Sequence, residues 1–358
     1  MAPFNSPLMP LHERAGAVAG TFFECTLPAR FSSLDRELAF AVRTIALFDT
    51  NYQCYAWLSG PDRVRYLNAV TTNDIKSLVP GQGVTGLLLN PQGHILAEIT
   101  TYALAERLLL RSHAAVRERT LQTLEKFIIM DDATLTDAVS QLGSLAMEGP
   151  LALQLAQDLT GVRLAEAPQN AHWESAVEGI PCRLVRRSHF GQPGVEFIAE
   201  IEPLKALWDL LATKARALQG GRIGFDALNT LRLEAGIPWF TYDFDDKVIP
   251  HEAGLEHSHI SYSKGCYTGQ EIVERVRARG QVNRRLTTLK FDAPHVPEAG
   301  TKLLALEKEA GQVTSAAFSP RLQCPVGFAY VRREHTATGS ELTFAGGAAQ
   351  VISLSTPS

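Results

Sequence analysis

Residues 261–286 read SYSKGCYTGQEIVERVRARGQVNRRL and bring a thiol, an amine, two carboxylates and five guanidiniums into one short run. Cys266 stands two residues after Lys264 and three before Gly269, from which Gln270, Glu271, Ile272, Val273 and Glu274 can start a helix. A free thiol titrates near ~8.5, and lower beside a positive charge or a helix N-terminus. No histidine lies at a fixed offset, since His257 and His259 are separated from the thiol by a loop. Cys266 therefore reads as a reactive thiol or as a structural one, and its neighbours leave both open. Arg275, Arg277, Arg279, Arg284 and Arg285 are set against only Glu271 and Glu274. Guanidinium forks bind oxyanions in bidentate fashion, so phosphate or polycarboxylate is the ligand such a cluster suits. The plain alternative is a solvated face pairing with its own carboxylates. Aromatics are not interleaved among the arginines, which makes nucleic acid the weaker partner.

Other polar runs carry less. PHEAGLEHSH (residues 250–259) has histidines six apart with Gly254 between them, whereas a zincin helix needs them at i and i+4 on one face. It reads as a polar turn after Pro250, and no metal site is expected. GHILAE, GQPGVEF and GGRIG fit turns and helix ends rather than the strand–GxGxxG–helix or GxxxxGKS phosphate cradles.

The elements that must position these groups follow from periodicity. Residues 32–48 begin with capping Ser and Asp and continue as a helix. Residues 52–60 read as a strand, and residues 61–70 as a helix opened by Pro61. Residues 84–104 form a hairpin around Asn-Pro-Gln-Gly, placing Glu98 on its second strand. Residues 116–130 and 202–219 are amphipathic helices, and residues 189–200 are a turn entering a strand with Glu196 on it. From about Leu286 short strands alternate with Gly and Pro, as in a small antiparallel barrel. The expected division is 1–285 for an α+β region of two intertwined lobes and 286–358 for the barrel. At 358 residues two or three domains are expected. With 45% hydrophobic and 20% charged residues, disorder or a fibre is excluded. A net charge of −4 gives no global attraction to nucleic acid or anionic membrane. Five scattered cysteines without a CxxC, the lack of a secretory h-region at the N-terminus, and the lack of any long apolar window point to a reduced, cytoplasmic setting away from the membrane.

KGCYTGQEIVER (residues 264–275) resembles the signature of the YgfZ folate-binding family. ELAFAVRTIALFDT, LSGPDRVRYLNAVTTNDI, IGFDALNTLRLEAGIPWFTYDF, PHEAGL and GQVTSAAFSPRLQCPVGFAYV are collinear with the wider glycine-cleavage T-protein (aminomethyltransferase) superfamily, from about residue 15 to 355. The resemblance implies an α+β fold of three lobes around a central channel, the last an antiparallel barrel, with tetrahydrofolate in the channel. A pterin presents a flat face and an edge of donors, so apolar walls and one buried carboxylate suit it, and the anionic glutamyl tail suits arginines. Glu98 and Glu196 are the carboxylates expected there, Gln192 a hydrogen-bonding neighbour, and Arg232 and Arg275 partners for anionic groups, with Gln270 and Glu271 fixing the loop. True aminomethyltransferases carry a double aspartate where this chain has Ala97-Glu98, and their Arg-Asp appears as Leu228-Asn229. Displacing a catalytic carboxylate by a methylene is costly where ~1 Å of misplacement loses ~100-fold. The resemblance thus implies first a YgfZ-type accessory protein in assembling or repairing iron–sulfur clusters, including in enzymes that thiolate tRNA, with Cys266 reactive and Lys264 activating it. Its alternatives are a folate-dependent aminomethyltransferase with Glu98 as the acid–base carboxylate, and an RNA-binding module using the arginines.

Overall fold

The computed structural model describes residues 4–353, so Met1–Pro3 of the N-terminal stretch read above and the last five residues lie outside it. The architecture is α+β. Two large sheets, a three-stranded N-terminal sheet and a closed six-stranded antiparallel barrel account for the strands.

The five-stranded sheet runs Gly83–Leu89, Ile95–Ala103, Leu108–His113, Gln53–Ser59, Thr134–Asp137, with every neighbour antiparallel. Its strands alternate, because successive side chains of a strand point to opposite faces. Ala56, Leu58, Ala97, Ile99, Leu108 and Leu110 bury one face against Tyr66, Leu67 and Val70 of helix Arg63–Val70 and Leu124 of helix Arg117–Phe127. The register sets Tyr55 opposite Arg111 and Gln53 opposite His113, and these polar residues turn to the other face. That face meets the six-stranded sheet, where Tyr55, Tyr102 and Leu109 pack on Val185 and Ile198.

The six-stranded sheet has the order His172–Val177, Ile180–Arg186, Gly194–Glu200, Leu142–Glu148, Ala46–Asp49, Gly221–Arg222. Leu145, Met147, Val195, Phe197 and Ala199 back onto Leu204, Leu207, Trp208 and Leu211 of helix Ile201–Ala217. The helix expected over residues 32–48 is two elements. It spans only Leu34–Arg43; Thr44 leaves the helical region, and Ala46–Asp49 is a strand. Ile45, Ala46, Leu47 and Phe48 are almost wholly buried, and a short apolar run buried on both faces satisfies its backbone best inside a sheet.

The barrel closes as Arg284–Asp292, Cys324–Arg332, Lys308–Ser319, Lys302–Ala305, Glu341–Phe344, Gly347–Val351, around Leu289, Phe291, Leu303, Val313 and Val331. It docks on helix Phe225–Glu234, where Leu233 packs on Val326 and Phe328. Among the described residues no helix is long and apolar enough to cross a membrane.

Candidate functional site

Between the two large sheets lies a sealed charged cluster centred on Glu196. Its Oε1 accepts a hydrogen bond from Tyr55 Oη at 2.8 Å. Arg111 Nε stands 3.5 Å from Oε1, while His189 Nε2 and Arg187 Nε stand 3.3 and 3.9 Å from Oε2. Burial alone would lift the Glu196 pKa, but Arg111, His189 and Arg187 outweigh it and hold the group well below the usual carboxylate range. Burial lowers His189 and His113 to about 4, so both are neutral at physiological pH. Several atoms here have no hydrogen-bond partner: Glu196 Oε2, Arg111 Nε, Arg187 Nε, His189 Nε2, Tyr102 Oη and His113 Nδ1. Four of these atoms face one another in the Glu196 ion pairs without hydrogen-bond geometry, and Tyr102 Oη and His113 Nδ1 have no polar partner, which leaves the cluster able to take further polar groups.

A turn delivers two of these residues. Glu148, at the end of its strand, accepts hydrogen bonds from the backbone N–H of His189, Phe190 and Gln192 and from Ser188 Oγ. Burial nevertheless pushes its pKa up to about 7, against the pull of those donors. This carboxylate shapes residues 188–192, from which His189 faces back to Glu196. Gln192 contributes its backbone N–H to Glu148.

Glu98 lies on the same sheet face, diagonal to this cluster and closer to solvent. His259 Nε2 donates to its Oε1 at 3.0 Å, with the two side chains 14% and 19% exposed. Ser258 Oγ is 2.7 Å from His259 Nδ1. Burial would raise the Glu98 pKa, but the hydrogen bond and charge of His259, with His113 and Arg187 farther off, bring it down to about 2. Arg187 thus acts on both Glu98 and Glu196 and ties the two carboxylates into one electrostatic unit.

Other residues singled out from the sequence are placed differently. Cys266 is exposed. Lys264 does not serve it: its Nζ donates to the carbonyls of Asn68, Thr71 and Asn73 and lies 5.1 Å from the Tyr267 ring. Those carbonyls close the end of helix Arg63–Val70, where a cation offsets the helix dipole, and burial lowers the lysine pKa to about 8. The proposed Lys264 activation of the thiol is therefore corrected to a helix-end clamp. Arg232 is also corrected. It is sealed from solvent in a pair with Asp243, and Nη2 donates to Ser315 Oγ at 2.7 Å, which spends the guanidinium on docking the barrel. Gln270, Glu271 and Arg275 begin the helix Gln270–Arg279, whose one buried residue is Val273. Arg275 donates to Glu271 at 2.9 Å across one exposed turn, while Arg284 and Arg285 pair with Glu252 and Glu256. Most of the arginine run is spent on ion pairs: Arg275 and Arg277 pair with Glu271 and Glu274 of their own helix, and Arg284 and Arg285 with carboxylates of the preceding loop. His251 and His259 meet Tyr262 and Glu98 respectively, in different places.

Arg111, His113, Arg187 and His189, which build the cluster most directly, were not singled out from the sequence, and His259 was weighed only as a base for Cys266 and in the PHEAGLEHSH metal reading. Arg111 and His113 share one face of strand Leu108–His113, but the polar Ser112 between them hides any alternation in LLLRSH. His259 carried no signal of its role, because its partner is 161 positions away.

Fold and cluster together define an α+β protein with two facing sheets, a buried carboxylate–arginine–histidine site between them and an appended β-barrel. The GCVT N-terminal domain matches residues 8–260, and the glycine cleavage T-protein C-terminal barrel domain matches residues 284–353. The chain belongs to the glycine cleavage T-protein family. It is 30% identical over 343 residues to an aminomethyltransferase of Chlorobium chlorochromatii, covering 94% of this chain and 93% of that one. An aminomethyltransferase of Streptomyces coelicolor is 29% identical over 334 residues, covering 92% and 90%. The structure of glycine cleavage system aminomethyltransferase T from Bartonella henselae superposes with a TM-score of 0.89 at 25% identity, covering 98% of this chain and 97% of that one.

Proposed function

We propose that this protein binds tetrahydrofolate between its two large sheets and handles a one-carbon unit there, as a folate-dependent transferase of the aminomethyltransferase type. The observation that carries the reading is the buried Glu196 carboxylate, whose Oε2 has ion-pair contacts to His189 and Arg187 but no hydrogen bond, beside the unpartnered Tyr102 Oη. A pterin edge offers N–H donors for the carboxylate oxygen left without a hydrogen bond, and the rings of Tyr55 and Tyr102 are packed beside it. Tetrahydrofolate would contribute the nitrogens that accept the one-carbon unit. Glu98, held ionised, does not donate protons at neutral pH; it places a fixed negative charge where a positive charge develops on an aminomethyl group. In this reading Glu98 acts as an electrostatic stabiliser and, being ionised, can still accept a proton as a base.

Titrating tetrahydrofolate against the wild type and Glu196→Gln tests the reading. A loss of about 10- to 100-fold in affinity is expected, the worth of one or two charge-assisted hydrogen bonds. Equal affinities would refute it. Transfer itself is checked with an aminomethyl-loaded lipoyl carrier: ammonia release that depends on folate and on Glu98 supports a transferase, and no turnover above background removes that part.

The exposed Cys266 favours a second reading, a YgfZ-type folate-binding accessory protein acting on iron–sulfur enzymes or their assembly proteins, and through them on tRNA modification. The KGCYTGQE run packs on the hairpin turn preceding Glu98: Gly269 has no room for a side chain, as a Cβ would lie 2.6 Å from the Asn90 carbonyl oxygen. In this reading the thiol acts outside the folate cluster. Restored cluster-enzyme activity in cells lacking the native protein, lost with Cys266→Ala, supports it; full restoration by Cys266→Ala counts against it.

A further inference from the structure

We propose that His259 is a positioning residue for Glu98, fixed for that task by Ser258 and Thr72. This rests on the reading that Glu98 faces the bound ligand and names what aims it. The imidazole is engaged at both ends, Nδ1 with Ser258 Oγ at 2.7 Å and Nε2 with Glu98 Oε1 at 3.0 Å. With the Ser258 hydroxyl donating to Nδ1, the proton of a neutral ring sits on Nε2 and points at the carboxylate.

The segment carrying the ring is held by its backbone. Thr72 Oγ1 donates to the His259 carbonyl at 2.6 Å and accepts from Leu87 N at 2.8 Å. The Thr72 carbonyl accepts from Ser261 N at 3.0 Å, and His259 N donates to the Leu255 carbonyl at 3.0 Å. Leu87 is the residue directly opposite Glu98 in the hairpin. One threonine therefore connects the backbone of His259 to the cross-strand partner of Glu98, and the two side chains meet because their main chains are joined. A chance surface pair would share no such connection and would be solvated; these two side chains are mostly buried. The other charged or titratable groups acting on Glu98 are His113 on the neighbouring strand and Arg187 from the opposite sheet.

The test uses the full chain without folate, labelled with ¹³C at glutamate carboxyls and ¹⁵N at histidine rings. The Glu98 signal is assigned by its disappearance in Glu98→Gln. His259→Phe is expected to raise the Glu98 titration midpoint by about one pH unit or more, a tenfold or greater gain in proton affinity. His259→Gln, which keeps a donor, should fall between, and Ser258→Ala should redistribute the ring proton between Nδ1 and Nε2. A midpoint unmoved in a His259→Phe protein whose other carboxyl signals are unchanged overturns the inference. Should His259→Phe not fold, Thr72→Val, which frees the segment but leaves the ring, must move the midpoint upward, and no movement there overturns it too. Since no ligand is present, failure here is separate from failure of folate binding, which would instead remove the functional reading and leave the pair intact.

Discussion

Arg111 and Glu196 face one another across the gap between the two large sheets, Nε to Oε1 at 3.5 Å, with both side chains sealed from solvent. Each comes from a strand otherwise given to packing; Glu196 is the carboxylate partner of Arg111, while Glu196 also meets Arg187 and His189. Breaking a buried pair from one side leaves a charge with no water and no partner, at a cost of about 3–5 kcal/mol. Arg111→Met is expected to lose about that much in urea denaturation. Adding Glu196→Gln to it should recover a large part of the loss, because the stranded charge goes with it. Additive losses in the double variant would show that the two residues do not interact.

Stability should rise with pH between about 4.5 and 6.5. Burial lowers His113, His172 and His189 to about 4. A histidine with a folded pKa below its unfolded value near ~6.5 contributes fully above that value, and the contribution is lost as pH falls toward 4. Glu148 has the opposite sign: raised to about 7 by burial, it contributes fully below ~4.5 and loses this as pH rises through 7. The three histidines lowered to about 4, with His251 lowered as well, act against the raised carboxyls Glu148, Glu37 and Asp226, and the histidines are expected to dominate the slope. Urea midpoints measured at several pH values check the slope, and replacing His172 with Asn should flatten it.

A buried guanidinium joins the barrel to the rest, beside the apolar docking of Leu233 and the ion pairs of Arg284 and Arg285. Arg232 pairs with Asp243 and reaches Ser315, and Asp243 in turn accepts from Thr314 Oγ1 at 2.7 Å and Ser315 Oγ at 2.5 Å. Arg232→Met is expected to cost about 3–5 kcal/mol, since it strands Asp243. Proteolysis should then cut between the helix Phe225–Glu234 and the barrel before either is degraded. Unchanged resistance would show that apolar docking through Leu233 suffices.

Cys266 should be the first thiol to react. Burial lifts Cys25 to about 12 and Cys54 and Cys182 to about 11, and raises the half-buried Cys324 as well. One equivalent of iodoacetamide is expected to label Cys266 at neutral pH, with Cys324 following, as read by peptide mass mapping. Lys264→Met should leave this rate within about twofold, because the ammonium is committed to three carbonyls. A tenfold drop would restore Lys264 as an activator.

Gly269 precedes the arginine-bearing helix with φ +81°, and a methyl group there would collide with the Asn90 carbonyl. Gly269→Ala is expected to cost about 1–3 kcal/mol and to loosen the turn before Glu98, measurable as faster amide exchange at residues 90–94.

The apolar run and Asn-Pro-Gln-Gly turn of residues 84–104, the short strands between Gly and Pro near the C-terminus, and the amphipathic pattern of residues 202–219 were enough to place a hairpin, a set of barrel strands and a long helix, because turn residues and apolar patterning are local signals. Glu98 and Glu196 could be named as carboxylates on strands for the same reason. Their surroundings could not. His259 reaches Glu98 across 161 positions and Tyr55 reaches Glu196 across 141, and no local pattern records which distant side chain will share a buried volume. The same limit misassigned the cations: Lys264 and Arg232 look available in a one-dimensional reading, yet folding brings a helix end to one and a buried aspartate to the other. Desolvation made those choices, since a charge carried inside must take whichever partner the packed chain supplies.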